Sequence, residues 1–389
     1  MITFGNYAGR EQAYVKHVFL ESYLERLAHK VASAYSHIVY VDGFAGPWQS
    51  ANENFQDTSF GIGLNALRRA KASWKDKRDV QMSAFLVERD PTAYAQLAGI
   101  PQQYPDVAIK TYEADFLTVI GTILKDIPAD AFAFFLIDPK GWRIPLRQLE
   151  PMLRRRNSEV IFNFMFDFIN RAASIKDPTI VSGLQELIPF GQWREQLNGL
   201  DASGNSSSER RKQILVDAFG NSLAQLGNYR YVAETTVLRP LADRPLYCLF
   251  YATRNPTGIE VFRDSQIAAL TEQSRTRAAT RLAHASRGTG QRELFESLHE
   301  IGPDELNSFL GEEQREAERS LIALSSQAPS YVRYEHLWPL VLARQVIKRS
   351  DVNRIASRLR REGRLLLPDW EKSRRVPQPH YRVQRGDHT

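Results

Sequence analysis

The 389-residue chain has a single cysteine, Cys248. That excludes a disulfide framework and any zinc site built on cysteine pairs, and makes a reducing compartment, the cytoplasm, the expected location. The eight histidines are scattered with no H-x-x-x-H pair on a predicted helix, so no metal is expected. Long apolar runs are missing too: none approaches the length that crosses a bilayer, and no charged segment followed by an apolar one opens the chain. No membrane partner is expected. Also absent are the G-x-G-x-x-G fingerprint and the Lys-Ser/Thr pair of a triphosphate loop, which counts against a dinucleotide or a nucleoside triphosphate.

What is present is an alternation of helical and strand patterns. Val15, Val18, Phe19, Tyr23, Leu24, Leu27 and Val31 recur at spacings of three and four and predict a helix over about 10–34. The strand "IVYVD" follows, then a helix in "GIGLNALRRAKA", a strand over 82–90, and a helix from Pro91 capped by Asp90. "DVAIKTYEADF" predicts a third strand, 116–127 a helix, and "AFAFFLID" (131–138) a fourth strand whose unbroken apolar run suits a sheet covered on both faces. A helix over 145–155 and the strand "SEVIFNFM" continue the rhythm, which calls for a doubly wound, mostly parallel, Rossmann-like sheet. A helical insertion spans about 170–230, interrupted by the loop "DASGNSSSER". Two long strands joined only by "PLADR" then predict an antiparallel edge hairpin.

This first domain is expected over 1–271, with a polar helical linker over 272–330. Residues 331–389 read as two helices and a Pro- and Arg-bearing hairpin, the pattern of a winged helix-turn-helix. From Tyr331 onward 14 Lys and Arg stand against six Asp and Glu, a net of +8 in a chain of net +6, so everything earlier carries −2. A basic tail on a near-neutral body points to a polyanion partner.

Ligands of open α/β sheets bind beyond the carboxyl ends of the strands, where the winding reverses. At the first strand end the sequence reads Asp42-Gly43-Phe44-Ala45-Gly46. Gly43 and Gly46 allow close backbone approach, and Asp42 places a carboxylate beside it. Glu88 ends the second strand and Asp115 the third, positions suited to ribose hydroxyls and to the exocyclic amine of adenine. An acid in place of a phosphate cradle suits a cationic adenosine derivative, and S-adenosylmethionine meets that description. The fourth strand ends in Asp138-Pro139-Lys140-Gly141-Trp142. Here the Asp138 carboxylate and the Pro139 carbonyl offer two acceptors for an amine or a base edge, and Trp142 could stack on the base. Each acid also has a plain structural reading as a helix cap.

The stretches "VKHVFLESYLERL", "IVYVDGFAGPW", "FLVERD", "EADF", "FFLIDPKGW" and "YCLFYATRNPTGIEVFRD" together resemble the three-Cys-motif partner protein family, bacterial class I S-adenosylmethionine-dependent methyltransferase-like proteins. The resemblance covers roughly 10–270, and a similar winged-helix-like segment is attached in that family. It implies a methyltransferase domain with Asp42, Gly43 and Gly46 at the methionine end of the cofactor, Glu88 at the ribose, Asp115 at the adenine, and Asp138 and Pro139 on the acceptor side; Phe44 in the turn and Asp138 are further expected to touch the cofactor. It also suggests a three-Cys-motif protein, encoded nearby, as a partner. Two departures stand out: Asp-Pro-Lys-Gly replaces the Asp-Pro-Pro-aromatic of adenine amino-methyltransferases, and Trp48 stands where glycine is common.

The leading expectation is a methyltransferase acting on nucleic acid, RNA slightly ahead of DNA. Arg354, Arg358, Arg360, Arg361, Arg374 and Arg375 would supply phosphate contacts. Two alternatives are a cofactor-binding but inactive DNA-binding regulator or defence-associated protein, and a protein or small-molecule methyltransferase.

Overall fold

A computed structural model describes residues 7, 10–46, 50, 55–203, 207–239, 245–289, 301–326 and 331–386. Trp48, part of the loop "DASGNSSSER", the connection "PLADR" up to Arg244, and residues 290–300 and 327–330 of the expected linker lie outside the described residues.

The N-terminal unit carries strands β1 (His37–Asp42), β2 (Gln81–Glu88), β3 (Ala108–Glu113), β4 (Phe132–Ile137), β5 (Ser158–Phe164), β6 (Tyr231–Leu238) and β7 (Pro245–Thr253). They form one sheet in the order β3-β2-β1-β4-β5-β7-β6. The first five run parallel, and β7 is antiparallel to both β5 and β6. The chain is therefore a Rossmann-like α/β fold, and the expected hairpin closes one edge. Its second strand, β7, is the one inserted against β5, which leaves β6 outermost. Burial follows position: every residue of β4 is buried, whereas β6 alternates buried with half-buried positions as an edge strand does.

Helices α1 (Glu11–Ala32), α2 (Ser59–Trp74), α3 (Pro91–Leu97), α4 (Ile100–Gln103) and α5 (Phe116–Asp126) connect or flank the parallel strands. The apolar stripe of α1 is buried at Val15, Phe19, Tyr23, Leu24, Leu27 and Val31, and α1 packs on α2. Asp90 caps α3 through the Ala93 amide and Thr58 caps α2 through Gly61. The helix expected over 145–155 is split into a 3-10 turn at Leu146–Leu149 and α6 (Glu150–Leu153). Pro151 has no N–H to give to a carbonyl in the preceding turn, and here the α-helical ladder starts only at Glu150, with the proline in its first turn. The insertion comprises α7 (Phe166–Ala172), α8 (Pro178–Leu187), α9 (Trp193–Ala202) and α10 (Ser208–Gly227).

Glu159 is buried in β5, where it accepts from the Tyr23 hydroxyl at 2.7 Å and from Thr253 Oγ1 at 2.8 Å, and burial pushes its carboxyl up.

Contacts divide the chain between Arg254 and Asn255, earlier than the boundary expected at 271, because α11 (Pro256–Thr289) runs unbroken through that point. The C-terminal unit continues with α12 (Ile301–Ser326), β8 (Val332–Arg333), α13 (Tyr334–Arg344), α14 (Arg349–Arg361), β9 (Leu365–Leu366) and β10 (Arg382–Arg385). Its three strands lie in the order β8-β10-β9, both pairings antiparallel. Arg263 of α11 donates to the carbonyls of Leu342 at 2.6 Å and Ala343 at 3.1 Å, satisfying acceptors that α13 leaves open at its C-terminus. No helix among the described residues is long and apolar enough to cross a membrane.

Candidate cofactor and acceptor site

The strand order reverses between β1 and β4: from β1 the chain winds outward through β2 and β3, then returns to β4 on the other side. Both strands end at the same level, Asp42 opposite Leu136, so the crevice of a doubly wound sheet opens beside Asp42 and Asp138.

The turn after β1 is held on both sides. Gly43 N–H donates to the Leu136 carbonyl at 3.0 Å and Ala45 N–H to that of Val87 at 2.8 Å. A Cβ on Gly43 would lie 3.0 Å from the Phe116 ring, a contact so tight that the ring would have to give by a few tenths of an ångström. Phe44 tilts against the same ring. Asp42 itself is 0% exposed. Its carboxylate accepts from Ser59 Oγ at 2.7 Å, Tyr40 Oη at 3.0 Å and the Phe44 amide at 3.1 Å. Burial raises this carboxyl to about 6 although those three bonds pull it down, and nearby Asp138 adds to the rise. Asp42 thus braces the turn from beneath.

The other acids divide by environment. Glu88 is buried and accepts from the Asp90 amide at 2.7 Å, while Asp90, not Glu88, caps α3. Asp115 is the N-cap of α5, bonded to the Leu117 amide at 2.9 Å, with its side chain 44% exposed and 3.7 Å from Arg89. Lys140 lies near Glu88 and Asp90; burial lowers its ammonium while these two acids pull the other way.

Asp138 is gripped at both oxygens. Lys16 Nζ of α1 meets Oδ2 at 2.5 Å, and Asn163 Nδ2 of β5 donates to Oδ1 at 2.6 Å. Burial is the largest single influence and pushes the carboxyl up, but Lys16 and Asn163 together outweigh it and hold it below the usual range. The Pro139 carbonyl already accepts from Gly141 N–H at 3.0 Å, in a turn where Gly141 has a φ of 118°. Trp142 packs on the insertion: a Cβ on Gly183 of α8 would sit 2.9 Å from its ring.

Lys16 and Asn163 are absent from the residues expected from sequence. Asn163 did carry a signal, as the polar interruption of the apolar run in β5; Lys16, on an amphipathic helix, carried none. His17, next to it, is buried, with Nδ1 2.9 Å from the Tyr7 hydroxyl.

In the C-terminal unit the six arginines expected to contact phosphate differ among themselves. Arg354 pairs with Asp351 at 2.8 Å, Arg358 with Glu318, and Arg374 with Glu371 at 3.5 Å. Arg360 stacks on Trp370, 4.2 Å from the ring centroid. Arg361 and Arg375 are exposed and, among the described residues, have no carboxylate partner.

No family model and no curated protein matches the chain. Solved structures that resemble it include protein LPL1258 from Legionella pneumophila, with 10% identity and a TM-score of 0.38 over 67% of this chain and 91% of that one. Loganic acid methyltransferase with SAH matches at 8% identity and a TM-score of 0.30, covering 78% and 89%. The YcgJ protein from Bacillus subtilis matches at 12% identity and a TM-score of 0.25, covering 60% and 98%.

Proposed function

We propose that the N-terminal unit is an S-adenosylmethionine-dependent methyltransferase of class I, with the cofactor in the crevice between β1 and β4 and the acceptor at Asp138. The observation that carries this reading is the meeting, at one switch point, of a glycine turn packed tightly on the Phe116 ring at Gly43 with a carboxylate gripped at both oxygens at Asp138. A backbone approach without side chains suits a ligand lying over Gly43–Gly46, and the residues around it fit a cationic adenosine derivative. Asp42 supplies negative potential beneath the turn, Glu88 keeps an oxygen for a ribose hydroxyl, and Asp115 a carboxylate at the β3 end. The cofactor, when bound, supplies an already activated methyl group. The protein then has to orient the acceptor lone pair and exclude water, which is the part that Asp138 and the Pro139 carbonyl would play.

Nucleic acid is the acceptor class favoured, RNA ahead of DNA. The net +8 after Tyr331 supports it, with Arg361 and Arg375 as the arginines available to phosphate and the α13–α14–hairpin region acting as a winged helix. A second support lies in the N-terminal unit, where Arg143 stacks on Trp142 and Arg147 on Phe190; Arg171, over Phe168, is also held by Asp167 at 3.1 Å. Cations beside rings suit unstacked bases on a phosphate strand. A three-Cys-motif protein is the partner we would test by co-purification.

The test is transfer of radiolabelled methyl to separated RNA, DNA and protein pools by wild type and Asp138→Ala. Label entering one nucleic-acid pool with wild type only supports the reading. Label confined to protein overturns the acceptor class, and no cofactor binding overturns the enzyme.

A further inference from the structure

The Lys16–Asp138 pair is not a sealed core ion pair. The two side chains are 17% and 14% exposed, so neither is sealed from solvent. Salt bridges this enclosed are weak sources of stability, because desolvating two charges offsets their attraction. Their placement is also specific: Lys16 comes from α1, Asn163 from β5, and the carboxylate between them follows β4 at the switch point. Each oxygen of Asp138 spends one lone-pair direction on its donor and keeps another.

We propose that Lys16 is a positioning residue for methyl transfer: with Asn163 it holds Asp138 as an oriented, ionised carboxylate whose remaining lone pairs receive an N–H or O–H of an uncharged acceptor. This rests on the methyltransferase reading above. The groups facing Asp138 are Lys16 and His17 of α1, Tyr40 and Asp42 of β1, Asn163 of β5 and Tyr247 of β7. Lys16 is the cation at hydrogen-bond distance, and His17 is kept neutral by burial. Without Lys16 the buried carboxylate has Asp42 and two phenols around it and no close counter-charge, so it takes up a proton. It then donates where it should accept.

The experiment uses the full chain as wild type, Lys16→Met and Lys16→Arg, checked for folding by thermal melts. Two readouts are combined. The Asp138 carboxyl is titrated by 13C NMR on aspartate-labelled protein, with Asp138→Asn for assignment, and methyl transfer to the RNA pool is followed from about pH 6 to about pH 8.5. Losing an adjacent opposite charge moves a carboxyl by about one to three units, so from below 3.8 Lys16→Met should titrate nearer neutrality and, at the top of that range, transfer up to about sevenfold less than wild type at pH 6, recovering toward pH 8.5. Lys16→Arg should keep the wild-type profile. An unmoved carboxyl titration in Lys16→Met overturns the proposal, as does a moved titration with an unchanged ratio of variant to wild-type rate across pH. Wild type that transfers no methyl to any pool sinks the methyltransferase reading and the positioning role with it, whereas the first two results sink the role alone.

Discussion

Lowering the pH from 7 to 5 should destabilise the N-terminal unit through one side chain. His17 is 7% exposed. Burial holds its imidazole down to about 3 against an ordinary 6.5; neighbouring Lys16 pushes the same way, and Asp138 and Asp57 oppose. The unfolded chain takes up the proton below 6.5, and the folded one refuses it until near 3. The stability His17 contributes is therefore present above 6.5 and is lost as pH falls. Over the interval from pH 7 to 5 the two values give a loss of about 2 kcal/mol. Asp42 works in the opposite direction. Its carboxyl, raised to about 6 from 3.8, is protonated in the folded state before the unfolded one. Acidification over the same interval returns about 1 kcal/mol through it. The informative quantity is accordingly a difference between proteins. Urea unfolding of wild type and His17→Gln at both pH values, with hydrogen exchange of the β1 and β4 amides reporting on this unit, should show wild type losing about 2 kcal/mol more than the variant. Equal losses would mean that His17 accepts a proton within the folded unit, and the reasoning from its burial would be wrong.

Gly43→Ala should cost about 1–3 kcal/mol, because the new Cβ meets the buried Phe116 ring, and should weaken cofactor binding measured by calorimetry. Cofactor affinity in wild type should rise as pH increases through about 6, where Asp42 ionises, and Asp42→Asn should flatten that dependence; an unchanged slope in the variant would remove Asp42 from the site. Arg361→Ala and Arg375→Ala should each lower the salt dependence of RNA binding by about one ion, whereas Arg358→Ala, whose partner is Glu318, should change it much less. Equal effects at all three positions would show that the internal ion pairs do not compete with phosphate.

The sheet was legible because its signal is local. The run in β4 and the short connection between β6 and β7 carry their meaning within a few residues, and so does the glycine turn after Asp42. The partners of Asp138 were not legible for the opposite reason: Lys16 stands 122 residues away, and nothing near it in the chain distinguishes it from other cations of an amphipathic helix. The arginines lie between these cases. Asp351 and Glu371 precede Arg354 and Arg374 by three residues, a spacing that brings side chains together on a helix or turn, so those pairings could have been anticipated. Glu318, on α12, could not. The split at 146–153 has a partial local signal in Pro151, but a proline alone does not decide it, since α13 runs on through Pro339.

The position of β7 has a consequence for how the chain reaches its folded state. Val160 of β5 pairs with Ala252 of β7, so the last segment of the unit to be synthesised fills the second-to-last place in the sheet. Until β7 arrives, β5 offers an apolar, unpaired edge to any neighbouring chain. The helices α7 to α10, made in the interval, cannot satisfy those backbone groups. A fragment ending before residue 245 should thus aggregate rather than fold into a smaller sheet, and the nascent chain should depend most on chaperones over this stretch of translation.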